Sequence, residues 1–407
     1  MIAAIGSSVT FLLAALLVVL LPSGIRRGAW LSIHLALAGG ASTAIAGVLP
    51  YFAAAFGAAP PASRWLRPIA VGAVALGALG VSVGVVAGWP ALAAGGGAGF
   101  VVGIVLTGVC ALQPLGGRLG PVRGLLTPGY LIALAEVGLG AAIATLYVAG
   151  WTPLVERWGS LKPAHAWLNL VGFLSVVIAT TLLHLFPTVV GARIVRRRSS
   201  LVTVAGLGGG TPLVALGFAL GADPLARVGA LVVAAGALGL ALDCSSSWLS
   251  RSRWTTDSGW HWFAIGGLVS EVAWFEVGIA MATSRVLAIG AGPAAWSVDL
   301  LIGPLIVGWI VLTIVASATH LIPAIGPGGP LAHGRQRRVL GIAAVPRLTI
   351  LNLGVAWLSA GLAFDLVPLA MAGVTAVALG LASTAFLGVR AIRVVRFGDA
   401  RHLASGR

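Results

Sequence analysis

Charge is what this chain has least of. Asp, Glu, Lys and Arg make up 9% of its 407 residues, against about 25% in a soluble globular protein. So few charges cannot cover a surface of that size. A soluble enzyme, a nucleic-acid-binding module and a disordered chain are excluded on that ground. Acidic side chains are scarcer still, 10 against 25 basic ones. Cysteine is nearly missing. Cys110 and Cys244 both lie in or beside apolar runs, which excludes a disulfide scaffold and any thiolate-held zinc or iron–sulfur site. Residues 1–22 have no basic segment before them and no small-residue cleavage site after them. They are expected to form a first span rather than a cleaved signal.

What is abundant is apolar surface: 59% hydrophobic residues with 58 Gly and a mean hydropathy of +1.04. A spanning helix takes about 20 apolar residues, and at roughly 30 per span with its loop the length accommodates about twelve. The expected spans are 3–22, 29–57, 69–89, 91–113, 129–150, 164–189, 201–221, 224–243, 261–284, 299–324, 346–364 and 366–388. Pro, Gly and Arg mark the breaks. The boundary at Trp89-Pro90 has almost no polar loop. The longest loops, about 15–20 residues, are too short for a folded module. Residues 1–407 are thus expected to form a single all-α transmembrane domain whose partner is the lipid bilayer.

The net charge of +15 reads as basic loops on one face of a membrane rather than as affinity for nucleic acid. Loops after even-numbered spans hold Arg64, Arg67, Arg118, Arg123, Arg193, Arg196, Arg197, Arg198, Arg251, Arg253, Arg335, Arg337, Arg338 and Arg347. The C-terminal tail adds Arg390, Arg393, Arg396, Arg401 and Arg407. Loops after odd-numbered spans hold Arg26, Arg27, Arg157, Lys162, Arg227 and Arg285. The excess predicts a multi-pass protein of the inner (plasma) membrane with both termini cytoplasmic. Arg26 and Arg27 oppose it locally.

Three segments align without gaps on a closing proline: GAWLSIHLALAGGASTAIAGVLP (Gly28–Pro50), HAWLNLVGFLSVVIATTLLHLFP (His165–Pro187) and LIGPLIVGWIVLTIVASATHLIP (Leu301–Pro323). They are spans two, six and ten, so the period is four helices. Three four-helix arcs about a pseudo-threefold axis would follow.

Ionisable residues inside spans are costly and point to function. His34, His165, His184, His261 and His320 lie in or at the edge of apolar spans, while His333 is placed in a loop and His402 in the tail. At 1.5 Å per residue, His165 and His184 stand roughly 28 Å apart on one helix, and the gap-free alignment sets His34 about 9 Å deeper than His165. Two layers result. The outer one holds His34 and His165. The inner one holds His184, His261 and His320, a candidate metal layer. Imidazole suits haem and copper, and the small run Ala38-Gly-Gly-Ala-Ser would let a flat macrocycle approach the backbone. The plainer reading of a histidine near a span end is an interfacial or hydrogen-bonded residue. Glu136, Glu271 and Glu276 are candidate proton relays or packing carboxyls. Glu136 could also pair with His165 or His34, and one of Glu271 and Glu276 with an arginine.

The stretch KPAHAWLNLVGFLSVVIATTLLHLFPTVVGARI resembles a segment of the haem–copper oxidase superfamily. It is most similar to members near the nitric oxide reductases and C-type oxidases, and to membrane domains found alone or fused to copper nitrite reductases. AWLSIHLALAGGASTAIAG resembles the second helix of the latter. NnrS-type haem–copper membrane proteins, linked to nitric oxide stress, are a second similar group. The resemblance implies twelve spans in three arcs, haem b, copper, and a periplasmic cupredoxin or copper nitrite reductase as partner. The chain departs from the pattern. Span seven has no histidine pair, Asp299 to Val307 holds no histidine, and Trp167 stands where the family has a second one. The expectation is a divergent haem–copper oxidase-like protein without a complete dinuclear oxygen-reducing centre, with His34 and His165 as haem ligands. Its role would be electron transfer or nitric oxide and copper handling. The rivals are a cofactor-free secondary transporter or permease, and a structural membrane subunit that has lost its cofactors.

Overall fold

A computed structural model describes residues 2–56, 60–113, 125–195, 197–252, 259–326 and 329–404. Among them there are helices and turns and no β-strand. Twelve helical segments are long and apolar enough to cross a membrane: Ala3–Leu20, Trp30–Ala55, Leu66–Ala87, Pro90–Leu112, Leu126–Val148, Trp158–Val190, Arg198–Leu220, Asp223–Leu249, Gly259–Ile289, Pro293–Ala324, Ala344–Ala363 and Val367–Val394. They are numbered here as spans one to twelve. The chain is an all-α, multi-pass membrane protein. Arg118, Arg123, Arg196, Arg253 and Arg407 lie outside the described residues.

Each expected span is present, with shifted ends. Span six starts at Trp158 rather than 164, because the Lys162 stem can lie along the helix while its ammonium reaches out of the apolar layer. The bare Trp89-Pro90 boundary closes by local chemistry. Gly88 takes a left-handed φ of 71°, and Pro90 opens the next helix, where its missing N–H costs nothing. His333 belongs to a helix, Pro330–Leu340, not to a loop.

Contacts within the chain group into two compact units. One comprises residues 1–181, 196–239 and 282–296, and the other residues 182–195, 240–281 and 297–407.

A pattern repeats inside these units. Spans three and four, seven and eight, and eleven and twelve form hairpins whose glycines bring backbone against backbone. A methyl group on Gly84, Gly217 or Gly361 would strike Ala93, Ala226 or Ala370, nine positions on in each case. Gly77, Gly210 and Gly354 meet Phe100, Val233 and Val377 in the same register, and Gly103, Gly236 and Gly380 meet Val74, Leu207 and Leu351. The turns match as well. Trp89, Ala222 and Leu366 donate their N–H to Gly84, Gly217 and Gly361 at 2.7, 2.8 and 2.7 Å. The residue at positive φ is Gly88, Gly221 or Asp365. Helices in lipid are drawn together by close packing of small residues, since tails and side chains are equally apolar.

Spans two, six and ten share a second feature. Each contains a π-helical segment: Leu35–Ala41, Leu168–Ser175 and Ile302–Val311. Ser42, Val176 and Leu312 donate to carbonyls five residues back, at Leu37, Val171 and Val307. Each segment holds a glycine that receives a side chain of the preceding span: Phe11 at Gly39, Glu136 at Gly172 and Trp274 at Gly308. Pro50, Pro187 and Pro323 lie farther along the same helices. The π register corrects the gap-free alignment. Leu35 and Leu168 open their segments, so His34 corresponds to Trp167. His165 is two positions earlier, about 3 Å along the axis, not 9.

At the even-loop end, guanidinium groups lie over aromatic rings: Arg64 over Trp65, Arg67 over Tyr51, Arg251 over Trp248, Arg337 over Trp260 and Arg347 over Phe263, at 3.9 to 5.1 Å from ring centre. At the odd-loop end Arg26 is bound locally, to the carbonyls of Leu21 and Gly28 at 3.2 Å.

Gly361→Leu should force spans eleven and twelve apart and cost about 1–3 kcal/mol, read as a lower midpoint of thermal unfolding in detergent. Gly72→Leu, where nothing lies within 4 Å, should leave the midpoint unchanged.

Candidate functional site

His34 and His165 belong to the same compact unit. His34 is the last residue before the first π segment. Its Nδ1 donates to the carbonyl of Trp30, one turn back, at 2.8 Å. The Trp30 ring stacks on the imidazole with centroids 4.1 Å apart. The His165 Nδ1 donates to the carbonyl of Gly140 on span five, also at 2.8 Å. Asn169, one turn on, donates its amide to the His165 carbonyl at 2.6 Å.

A carbonyl only accepts, so each ring carries its proton on Nδ1, which leaves the lone pair on Nε2; the Asn169 amide nitrogen also stands 3.1 Å from the His165 Nδ1. Neither Nε2 has a hydrogen-bond partner among the described residues. A carbonyl on one ring nitrogen fixes both the orientation and the tautomer of an imidazole that coordinates through the other. Aromatic rings frame the pair. Trp158 stacks on Tyr147 at 3.9 Å between centroids and stands 6.1 Å from His165.

Two expectations are corrected. The run Ala38-Gly-Gly-Ala-Ser does not present an open wall, because Phe11 covers Gly39 and Leu12 covers Gly40. Glu136 pairs with neither histidine. The His165 Nδ1 is taken by Gly140 and the His34 Nδ1 by Trp30. The Glu136 carboxyl instead rests on Gly172, and both its oxygens lack a hydrogen-bond partner among the described residues.

Of the second histidine layer, His261 and His320 come together, with ring centroids 6.2 Å apart and an interplanar angle of 25°. Trp260 stacks with both, at 3.9 and 5.5 Å. The His320 Nδ1 is buried without a hydrogen-bond partner among the described residues. His184 is buried, and Thr188 donates to its carbonyl at 2.7 Å. Among the described residues no group of three or more His, Cys, Asp or Glu is placed to hold a metal ion.

Glu271 is fully buried beside Thr313, whose hydroxyl already donates to the Trp309 carbonyl at 2.7 Å. Neither Glu271 oxygen therefore receives a hydrogen bond among the described residues. Glu276 is half-buried, and its Oε1 likewise has no partner there.

Sequence reasoning missed the supports of the pair. Asn169 was within reach, as a polar residue one turn from His165 on an apolar helix. Gly140 was not, because a backbone acceptor leaves no mark on residue type. The chain matches no family model, and no curated protein matches it.

Nitrogen NMR of histidine-labelled protein should show His34 and His165 as Nδ1–H tautomers. Gly140 lends only its carbonyl, so Gly140→Ala should disturb His165 alone, through the methyl group pressing on Asn169. Nε2–H signals at both positions would contradict the geometry.

Proposed function

We propose that this chain is a divergent haem–copper oxidase-like membrane protein. It holds one haem b between His34 and His165 and serves electron transfer or nitric oxide and copper handling. It does so without a complete dinuclear oxygen-reducing centre. The carrying observation is the matched pair of imidazoles on spans two and six, each tied through Nδ1 to a backbone carbonyl. That donor set fits a haem iron, which takes neutral imidazole through the free nitrogen.

When bound, the haem supplies one-electron chemistry. The chain's own groups do the rest. The Trp30 and Gly140 carbonyls hold the rings against rotation and make Nε2 more basic. Asn169 braces the helix turn that carries His165. Trp30, Trp158 and Tyr147 exclude water and lower the local dielectric around the pair. His261 and His320 are the residues to which a copper ion would be drawn.

The recurrence of hairpins and π segments every four spans supports three arcs about a pseudo-threefold axis. The cationic even loops support a plasma-membrane protein with cytoplasmic termini. On that orientation His34 and His165 lie toward the outer face, where a periplasmic cupredoxin or copper nitrite reductase would exchange electrons.

The absorption spectrum of the purified protein tests the reading. A Soret band is expected, with His34→Ala and His165→Ala each removing most of it. A colourless, metal-free protein that drives solute uptake in liposomes would replace this reading with that of a transporter.

A further inference from the structure

The three π-segment glycines are equivalent notches with unequal contents. Aromatic rings fill two of them, Phe11 at Gly39 and Trp274 at Gly308. Packing alone is therefore satisfied by an apolar side chain. The notch at Gly172 instead receives the carboxyl of Glu136. Glu136 is the eleventh of the 23 residues in Leu126–Val148, the middle of its span and the costliest depth for a charge. It is 5% exposed, and neither oxygen has a hydrogen-bond partner among the described residues.

Its surroundings offer no counter-charge. Thr211 of span seven borders the notch, but its hydroxyl donates to the Leu207 carbonyl at 2.8 Å. On span six the titratable side chains are Lys162, His165 and His184; His165, seven positions from Gly172, is tied to the Gly140 carbonyl, and Lys162 and His184 stand ten and twelve positions from it. On span five itself they are Tyr130, whose hydroxyl bonds Thr181 at 2.9 Å, and Tyr147, whose ring stacks on Trp158. An isolated carboxylate there would be prohibitively unstable, so the group is held neutral until a donor or water reaches it. Gly172 leaves the space that the carboxyl itself occupies. A methyl group at that position would overlap the carboxyl.

We propose that the Glu136–Gly172 notch is a proton-binding site at mid-membrane. The carboxylic acid keeps its proton while the notch is closed, and the O–H bond breaks to give carboxylate, with the proton passing to water, when the notch is hydrated. The site is independent of any haem at His34 and His165.

The test uses the full chain in lipid, treated with a hydrophobic carbodiimide that reacts with protonated carboxyls. Mapping by mass spectrometry should find Glu136 modified at neutral pH. Modification should fall as pH rises, in step with loss of the protonated-carboxyl infrared band. Glu136→Gln should abolish both signals. Glu136→Phe, which copies the notch at Gly39, should do the same and keep the helical content and thermal midpoint of the parent. The proposal is overturned if wild-type protein is modified at Glu271 or Glu276 and not at Glu136. It is also overturned if modification and band at Glu136 stay constant over the whole pH range in which the protein remains folded, since a permanently protonated carboxyl is a packing group.

Discussion

Close approach of backbones is the constraint that the rest of this structure obeys. Inside a bilayer the hydrophobic effect does not distinguish a neighbouring helix from a lipid tail, so spans hold together only where their surfaces mesh. Glycines supply that mesh at the hairpins of spans three and four, seven and eight, and eleven and twelve, where Gly84, Gly217 and Gly361 each admit an alanine backbone. The turns follow from the same need. A residue at positive φ closes each hairpin within a few positions, so the second helix begins already in register with the first. Exposed large apolar residues such as Leu76, Leu220 and Phe386 face outward, where lipid receives them.

The π segments solve a different problem. A helix in lipid cannot leave its polar backbone unpaired. A π turn keeps bonds to carbonyls five residues back while widening the helix and turning its faces out of α register. Irregular turns of this kind are frequent at functional sites. Here each holds a glycine whose missing Cβ lets a partner side chain lie against the helix backbone. The first candidate histidine immediately precedes such a segment. The second lies two positions farther back, relative to the π segment, on the equivalent helix.

Twelve spans were legible because apolar runs of membrane length leave little ambiguity in a chain so poor in charge. The four-span period was also visible in the closing prolines of spans two, six and ten. The strongest part of the repeat was not, since glycines and alanines align with one another by chance in so glycine-rich a sequence. Only which glycine meets which backbone distinguishes Gly84, Gly217 and Gly361 from their neighbours. The prolines also misled the register of span two, where the distance from π segment to proline is about one turn shorter than in spans six and ten.

The amino-acid sequence by itself determined the class of the molecule and its twelve candidate spans. Each of these rests on residue type and on spacing along one chain. Tertiary structure decided the partners: a carbonyl on span five for His165, a glycine notch on span six for Glu136, and the nearness of His261 to His320 across two helices. The physical reason is that a buried polar group is satisfied by whatever backbone or cavity faces it. Backbone carbonyls and empty space carry no residue identity that a sequence could display.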